Sequence, residues 1–516
     1  MLLITILTTS GIVGTVQAQE EVDLVIISPH QEGILKEYEA AFSSYYLETF
    51  GETVNVDWLD VGGTSDVIKY IDSAYQAKPE GIGIDIIWGG GVDPFIAAKE
   101  KGQLQEYIVD DEILSKIPAT IAGVPMYDPD YTWYGSALSG FGIIYNKALL
   151  ELEGLPEPET WEDLADPQLK GWVGSADPRN SGSTHMVYEI ILQAYGWEEG
   201  IKLATLMGAN IKTFPSSSSA VPKSVGAGDV AYGLAIDFYA WSEVSKVGAD
   251  KIGYVMPSGL TVINPDSIAI LKGAPNLVVA QRFVEYVLSE EGQTLWMLDV
   301  GAEGGPKNYM LGRMCVIPSL FDELADVTIV PINPFEVESS LDYDAVLGSI
   351  RYSFLNDLIG SMVIDSHEDL VAAWSDIIAT ESALNEAGIT STKIEEAKDK
   401  LGEAPLSSAD ALDAAENWSD AELRNEYISE WHTFALEKYD SATGLAAAAR
   451  TELSTQLKSE REALIAQYEA QLDEVKAQTQ NNLYMGLGGG LVVGAIIGYA
   501  IAYYMSRKSE VAAVEA

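Results

Sequence analysis

Four consecutive small polar residues stand directly before a predicted helix. Ser181, Gly182, Ser183 and Thr184 precede the helical run His185–Tyr195. The first four N–H groups of a helix lack intrahelical acceptors, and with the neighbouring hydroxyls they form an anion site. The same side chains are also good N-caps, which serve only the helix itself. The sequence therefore predicts either an anion contact or a plain cap at this position.

The elements that would position such residues show an alternating rhythm in the first hundred residues. A β-α-β-α-β order implies parallel strands joined by crossover helices, which is an α/β fold. Ligands of such sheets bind beyond the carboxyl ends of the strands. We therefore expect the loops 28–31, 62–65 and 89–93 to meet at one edge. The predicted elements are strands Val22–Ile27, Val54–Trp58 and Asp85–Trp88, and helices over about 32–46, about 64–76 and after Pro94.

Those loops, and a second alternating stretch over about 141–254, carry residues suited to an organic ligand. Three consecutive glycines after a strand remove side chains and let a ligand approach the backbone. Trp88 and Tyr239 offer flat apolar faces, although packing in the core explains Trp88 equally well. The glycines are Gly89, Gly90 and Gly91, and the polar candidates are His30, Thr64, Ser65, Asp237 and Asn264.

Composition excludes several classes of function. The 516 residues include 78 acidic and 30 basic ones, a formal net charge of −48. Nucleic-acid binding needs clustered Lys and Arg, so no nucleic-acid partner is expected. A single cysteine, Cys315, excludes an internal disulfide framework and a Cys-based zinc site. No GxSxG or HExxH motif is present, so we expect neither an enzyme nor a resident cofactor.

Both ends of the chain carry export and membrane signals. Residues 1–18 are apolar and end in Val16-Gln17-Ala18, the small-residue pattern of a signal peptide. The uncharged segment 483–505 is long enough for one transmembrane helix, about 34 Å at 1.5 Å per residue. Arg507 and Lys508 place the tail 506–516 in the cytoplasm and the rest of the chain on the extracytoplasmic face. Self-association is predicted for the stripe Gly490, Gly494 and Gly498.

An acidic helical stalk is expected over 381–482. Residues 381–480 contain 21 acidic and 9 basic side chains. Apolar residues recur there at helical spacing, which suits a long helix or coiled coil leading to the membrane segment. Asn417-Trp418-Ser419 fits an N-glycosylation acceptor. The apolar stripe consists of Leu453, Leu457, Leu464, Tyr468, Leu472 and Val475.

Several ordered blocks between about 22 and 380 resemble the extracellular solute-binding proteins of ABC importers. The blocks include IISPHQEGILKEYEAAF from residue 26, GIDIIWGGGVDPFIAAKEKGQLQEY from residue 83, SGFGIIYNKALL from residue 139 and GLTVINPDSIAILKGAPN from residue 259. The similarity is to the group that binds ferric ion, thiamine, polyamines and phosphonates. It implies a two-lobe fold of the type II periplasmic-binding-protein kind that closes on a ligand.

The resemblance also implies domain bounds and partners. Lobe 1 would comprise about 19–139 and 255–315, lobe 2 about 140–254, and 316–380 the last helices of a 19–380 domain. Ser139 and Gly140 would lie at the first crossing between lobes, as candidate hinge positions. ABC permease and ATPase subunits would be the partners. The implied function is a membrane-anchored substrate-binding component for a small organic, anionic or carboxylate-bearing solute.

Ferric ion is the alternative ligand that the resemblance implies. Ferric binders of this group place a histidine where His30 stands and paired tyrosines of which Tyr239 is the second. The first of that pair is Phe238 here, and the carboxylate expected after the third strand aligns with Gly90. Fe(III) needs several anionic oxygen donors. His30 and Tyr239 therefore remain the alternative metal ligands, with Fe(III) as a transported solute, and an organic ligand is favoured.

Overall fold

The computed structural model describes residues 21–337 and 341–482. Its ten strands are β1 Glu21–Ile27, β2 Thr53–Leu59, β3 Ile86–Trp88, β4 Thr120–Ile121, β5 Val124–Pro125, β6 Tyr134–Asn146, β7 Val173–Gly174, β8 Tyr232–Ile236, β9 Ile252–Val255 and β10 Ile263–Ile270.

The helices of the same residues are interspersed with these strands as far as β10, and only helices follow it. They are α1 Glu32–Phe50, α2 Thr64–Ala77, α3 Asp93–Glu100, α4 Asp111–Leu114, α5 Lys147–Glu153, α6 Gly182–Tyr195, α7 Trp197–Asn210, α8 Ala220–Ala227, α9 Asp237–Val247, α10 Leu277–Leu288, α11 Glu290–Met297, α12 Ser319–Glu323, α13 Ala345–Ile359, α14 His367–Ala387, α15 Thr392–Gly402, α16 Ser408–Glu416 and α17 Ala421–Asn482. Short 3₁₀ turns at Glu162–Ala165 and Pro167–Leu169 and a π-helical turn at Gly360–Ile364 complete the set.

The chain divides into two compact units, as a two-lobe fold requires. The first unit contains the described residues up to Gly140, together with Ile236–Ser242 and Val262–Ser349. The second contains Phe141–Ala235, Glu243–Thr261 and the described residues from Ile350 onwards. The first unit includes Ser139 and Gly140, and the second begins at Phe141. The hinge role of Ser139 and Gly140 stays a prediction.

The two units differ from the predicted lobes in three places. Residues 255–261, expected in lobe 1, belong to the second unit. Ile236–Ser242, expected in lobe 2, belongs to the first unit because the Asp237 carboxylate accepts the Gly140 N–H at 2.9 Å. The segment 316–380, expected to be one set of helices, is split at Ser349 between the two units.

A mainly parallel sheet forms the first unit, with the order β2-β1-β3-β10-β6. β1 pairs in parallel with both β2 and β3, whereas β10 runs antiparallel to β3 and to β6. The predicted β-α-β-α-β start is thus confirmed. In the second unit, the later part of β6 pairs antiparallel with β9, and β7 pairs in parallel with β8.

The acidic segment 381–482 differs most from expectation. The expected stalk instead packs into the second unit as far as about Leu457, because α17 buries a stripe of mostly small side chains. Indole stacking of Trp418 on Trp431 at 5.2 Å, and a Trp197 N–H donated to the Leu406 carbonyl, fix this layer. Beyond Leu457 the helix is largely exposed as far as Gln478. The buried stripe comprises Trp431, Ala435, Tyr439, Ala442, Ala446, Ala449 and Leu453.

Within the described residues, none of the helices combines the length and the apolar character needed to cross a bilayer. The predicted signal peptide 1–18, transmembrane segment 483–505, tail 506–516 and stripe Gly490, Gly494 and Gly498 all lie outside the described residues. They remain predictions from the sequence.

Leu453 and Leu472 belong to one predicted apolar stripe, but their replacement should change the free energy of unfolding by different amounts. Leu453 is 0% exposed, whereas Leu472 is only partly buried on the same helix. Leu453→Ala should lower the free energy of unfolding by about 2–5 kcal/mol, because it leaves a cavity in the second unit. Leu472→Ala is the matched control and should change it by less than about 1 kcal/mol. Urea unfolding followed by tryptophan fluorescence measures both. Effects below about 1 kcal/mol for both variants would show that Leu453 is not packed into the second unit.

Candidate functional site

The three loops predicted to meet do meet in the first unit. Gly89, Gly90 and Gly91 all have positive φ, at +106°, +121° and +81°, which only glycine adopts readily. A β-carbon at Gly89 would lie 3.0 Å from the His30 ring, and one at Gly90 would lie 2.5 Å from the Thr64 methyl group. The glycine run is therefore required for these loops to approach one another at the carboxyl ends of β1, β2 and β3.

Asp266 is the centre of the hydrogen-bond network at this edge. One carboxylate oxygen, Oδ2, accepts from His30 Nε2 at 2.7 Å and from Arg313 Nη1. The other, Oδ1, accepts the N–H groups of Gly90 and Gly91. The pairing of β10 with β6 shifts register between Asp266 and Ser267, where Ser136 of β6 is the extra residue. One carboxylate thus connects the loop after β1, the loop after β3 and a distant arginine.

Arg313 provides the positive charge of the cluster and is almost completely buried, with 1% of its side chain exposed. Its Nη2 donates to Ser139 Oγ at 2.9 Å, and its guanidinium lies 4.5 Å from the centre of the Phe238 ring. The Trp296 ring lies 5.2 Å from it on another side. Phe238, which lacks the oxygen of the expected tyrosine pair, therefore contributes a cation–π contact.

Asp237 and Tyr239 lie beside this pair at the start of α9. The Asp237 carboxylate accepts the N–H of Gly140 at 2.9 Å and that of Phe238 at 2.7 Å. Tyr239 is half-buried, and burial raises the pKa of its hydroxyl to about 12 although the nearby Arg313 charge opposes the shift. Both predicted residues therefore belong to the same cluster as His30.

The two carboxylates of the cluster have opposite pKa shifts. Burial raises the pKa of Asp237 from 3.8 to about 6, and its hydrogen bonds and Arg313 only partly offset this. Burial would also raise the pKa of Asp266, but the Arg313 charge and His30 outweigh burial and hold that pKa well below its usual range. The cluster therefore contains one firmly ionised carboxylate and one that exchanges its proton in mildly acidic solution.

The remaining predicted site residues of the first unit are buried next to the loops. Trp88, expected to offer a flat face to a ligand, is 0% exposed, and its indole N–H is donated to Ser136 Oγ at 2.8 Å. Trp88 is therefore a core residue, and the prediction that it offers a face to a ligand was wrong. Asn264 is also buried and accepts the Val92 N–H at 3.3 Å, and Thr64 and Ser65 are buried in the first turn of α2.

The second unit holds the serine-rich helix start. Ser181 is the N-cap of α6, and its Oγ accepts the Thr184 N–H at 3.2 Å. Ser183 is half-buried, with its Oγ 3.4 Å from that of Ser181. The cap is thus present. The N–H groups of Gly182 and Ser183 still lie in the first turn, where no intrahelical acceptor is available.

Asp266 and Arg313 were not among the site residues predicted from the sequence, although the sequence held an indication for Asp266. Asp266 is an acidic residue inside the otherwise mainly apolar run Ile263–Ile270, and a buried carboxylate needs a positive partner. Arg313 carried no such signal, because it lies 47 positions away in irregular structure. Its role follows only from tertiary folding.

Metal ligation by His30 and Tyr239 is the alternative that the sequence left open for this cluster. No group of three or more His, Cys, Asp or Glu side chains within residues 21–337 and 341–482 is arranged to hold a metal ion. His30 Nε2 is bonded to Asp266, and Gly90 has no donor side chain. His30 and Tyr239 remain the alternative ligands predicted from the sequence.

A family model described as "Bacterial extracellular solute-binding protein" matches residues 36–306 of the chain. The chain is 28% identical over 159 residues to the phosphoglycerate transport regulatory protein PgtC of Salmonella typhimurium, covering 31% of this chain and 39% of that protein. It is 29% identical over 208 residues to iron uptake protein A1 of Synechocystis sp., covering 38% and 54% respectively. The matches span between 39% and 60% of the length of the curated relatives.

Solved structures show the same architecture. The periplasmic binding protein AfuA from Actinobacillus pleuropneumoniae, with fructose-6-phosphate bound, is similar with a TM-score of 0.51 at 20% identity. The similarity covers 67% of this chain and 99% of AfuA. At this identity it shows the two-lobe fold of type II periplasmic binding proteins.

The opposite pKa shifts predict opposite effects of the same substitution. Asp266→Asn should destabilise the chain by about 3–5 kcal/mol at pH 7.5, because it leaves the Arg313 charge buried without a counter-ion. The Asp237 carboxyl binds its proton more tightly when folded, so its ionisation costs stability as the pH rises from about 4 to 6. Asp237→Asn should therefore raise stability at pH 7.5, by at most about 3 kcal/mol, and have little effect at pH 4.

Thermal unfolding of both variants between pH 4 and pH 8 checks this pair. The effect of Asp266→Asn should persist down to the lowest pH used, because the depressed pKa keeps that carboxylate ionised throughout. A Tm lowered equally by the two substitutions at pH 7.5 would contradict the assignment of the buried charge to Asp266.

Proposed function

The chain belongs to the family of bacterial extracellular solute-binding proteins, and we propose that it is the substrate-binding component of an ABC importer. Its solute is a small organic molecule with an anionic or carboxylate group. The partners are the permease and ATPase subunits of the importer. The family acts by binding and release, so the proposed role is not enzymatic.

The observation that carries the proposal is the convergence of three loops and one strand in the first unit. The loops after β1, β2 and β3 meet at the end of β10, around Asp266 and its partners. Parallel sheets bind ligands at this edge. His30, Thr64 and the glycines Gly89–Gly91 are therefore the proposed solute contacts of this unit, with Asp237, Tyr239 and Asn264 beside them.

An anionic group on the solute is favoured by the start of α6. Ser181 caps Thr184, but the amides of Gly182 and Ser183 and the Ser183 hydroxyl still point from the positive end of a fourteen-residue helix. The relative PgtC carries phosphoglycerate transport in its name, an anion of this class. Ser181, Gly182, Ser183 and Thr184 are the proposed anion contacts of the second unit.

Membrane attachment is the part of the proposal that depends on the sequence alone. The apolar segment 483–505 followed by Arg507 and Lys508 would anchor the binding units on the extracytoplasmic face. The part of α17 beyond Leu457, about 25 residues, would then add roughly 38 Å of helix between those units and the membrane. The stalk in this proposal is shorter than 381–482.

Ferric ion is the second candidate solute, and the relative named iron uptake protein A1 favours it. The chemistry of the cluster opposes it. Arg313 brings a permanent positive charge next to His30, and the Tyr239 hydroxyl has a pKa raised to about 12, which disfavours a phenolate ligand. Fe(III) prefers several anionic oxygens, and Phe238 and Gly90 supply none.

Removing hydroxyls at the start of α6 should weaken anion binding. We expect Ser183→Ala combined with Thr184→Ala to lower affinity by about 10- to 150-fold, because hydrogen bonds to charged groups contribute about 1.5–3 kcal/mol. Calorimetry with a panel of phosphorylated and carboxylated solutes, beginning with phosphoglycerates, first identifies a binder and then measures the variant.

A matched cap in the same unit separates binding from stability. Ser407 caps α16, with its Oγ accepting the Asp410 N–H at 3.3 Å, as Ser181 caps α6. Ser181→Ala and Ser407→Ala should each cost about 1 kcal/mol of stability, but only Ser181→Ala should affect solute binding. Identical affinity in both variants would leave the helix start with a capping role alone.

Iron binding has a direct optical test. A ferric phenolate absorbs visible light, so a ferric binder that uses Tyr239 becomes coloured when loaded. We expect the protein to stay colourless with ferric citrate and Tyr239→Phe to retain solute binding. A visible band in the wild type that disappears in Tyr239→Phe would make the chain a ferric-ion receptor instead.

A further inference from the structure

A second buried polar cluster lies in the second unit, one turn after the start of α6. It is formed by His185 and Glu189 on α6 and by Arg351, Tyr352 and Asn356 on α13. His185, Glu189 and Arg351 are all more than nine-tenths buried. The proposed solute contacts do not include any of these side chains.

Direct contacts hold the side chains of this cluster together. Arg351 Nη2 donates to Glu189 Oε1, which also accepts from Gln193 Nε2 at 2.8 Å. His185 Nδ1 lies 2.9 Å from Asn356 Oδ1, and the His185 and Tyr352 rings are 3.9 Å apart. An ion pair and a histidine–amide bond thus join the two helices.

Three polar atoms of the cluster have no hydrogen-bond partner among the described residues: His185 Nε2, Glu189 Oε2 and Arg351 Nε. Their side chains adjoin. His185 and Glu189 are four positions apart on one helix and therefore lie on the same face. Arg351 bonds to Glu189, and its charge also acts on the His185 ring.

The hydrogen-bonding role assigned to each of these atoms follows from its neighbours. The amide oxygen of Asn356 is an acceptor, so His185 Nδ1 carries a proton. Burial lowers the pKa of His185 to about 3, so the ring is neutral and its Nε2 is an acceptor. Glu189 Oε2 is an acceptor and Arg351 Nε–H is a donor. The cluster therefore lacks one acceptor and two donors.

We propose that His185, Glu189 and Arg351 form a buried binding site for one water molecule. The water donates one hydrogen to His185 Nε2 and the other to Glu189 Oε2, and it accepts the Arg351 Nε–H. Three hydrogen bonds are typical of a buried water. The Glu189 carboxylate disfavours an anion at this site, and the Arg351 guanidinium disfavours a cation.

The consequence concerns the orientation of α6. The water would join two residues of α6 to one of α13, beginning one residue after Thr184 at the helix start. It would thereby hold the first turn of α6, which carries the candidate anion contact, in a fixed orientation against α13. This site exists irrespective of which solute the protein binds, so it can be tested without one.

A crystal structure of the chain at about 1.5 Å or better is the first test. We expect one peak of solvent density about 2.6–3.2 Å from each of His185 Nε2, Glu189 Oε2 and Arg351 Nε. In Arg351→Lys, which keeps a positive charge beside Glu189 but lacks the Nε donor, that peak should disappear or move. Direct contact among the three side chains without solvent density would overturn the proposal.

Because Arg351→Lys places a different cation in a buried site and its fold can fail, a second measurement uses the unmodified chain. Nitrogen-15 NMR of labelled histidine reports which ring nitrogen of His185 is protonated. We expect a neutral ring protonated at Nδ1 from pH 7 down to pH 5. Protonation at Nε2 would exclude the water as donor to that atom and would overturn the proposal, whatever solute the protein carries.

Discussion

The buried charge of Arg313 sets the arrangement of the first unit. A guanidinium with 1% of its side chain exposed needs a counter-ion and several hydrogen-bond acceptors where it lies. Asp266 supplies the charge and Ser139 a hydroxyl, while two aromatic rings cover the cation. The same carboxylate accepts the backbone of the glycine loop and the ring of His30. Neutralising one cation therefore also positions the loops that are proposed to meet a solute.

This arrangement supports the proposed choice of an organic solute over ferric ion. His30 and Tyr239 resemble iron ligands by position, but a guanidinium beside them supplies positive charge where a ferric site needs negative oxygens. Phe238 packs against that guanidinium, and Gly90 donates its N–H to Asp266. The two replacements that remove iron donors are thus both used by the Arg313–Asp266 pair. An organic solute is compatible with this chemistry.

In the second unit, the helices after about 390 form part of the packed structure. Indole stacking, a hydrogen bond from Tyr439 to the Met362 carbonyl and a stripe of alanines hold α17 against its neighbours. Alanines permit close helix approach but carry little apolar signal, so this packing was not visible in the sequence. Only the part beyond Leu457 keeps the exposed character expected of a stalk.

The sequence by itself determined the local elements, the α/β class and the loops that would meet. The succession of strands and helices along the chain, helix starts such as Ser181 and the glycine run depend on near neighbours in the chain and on backbone conformation, so they can be read from short patterns. Only the tertiary structure decided that Asp266 pairs with Arg313, that Trp88 lies in the core and that α17 packs on the second unit. Those outcomes depend on which residues, far apart in the chain, compete for the same buried space and charge.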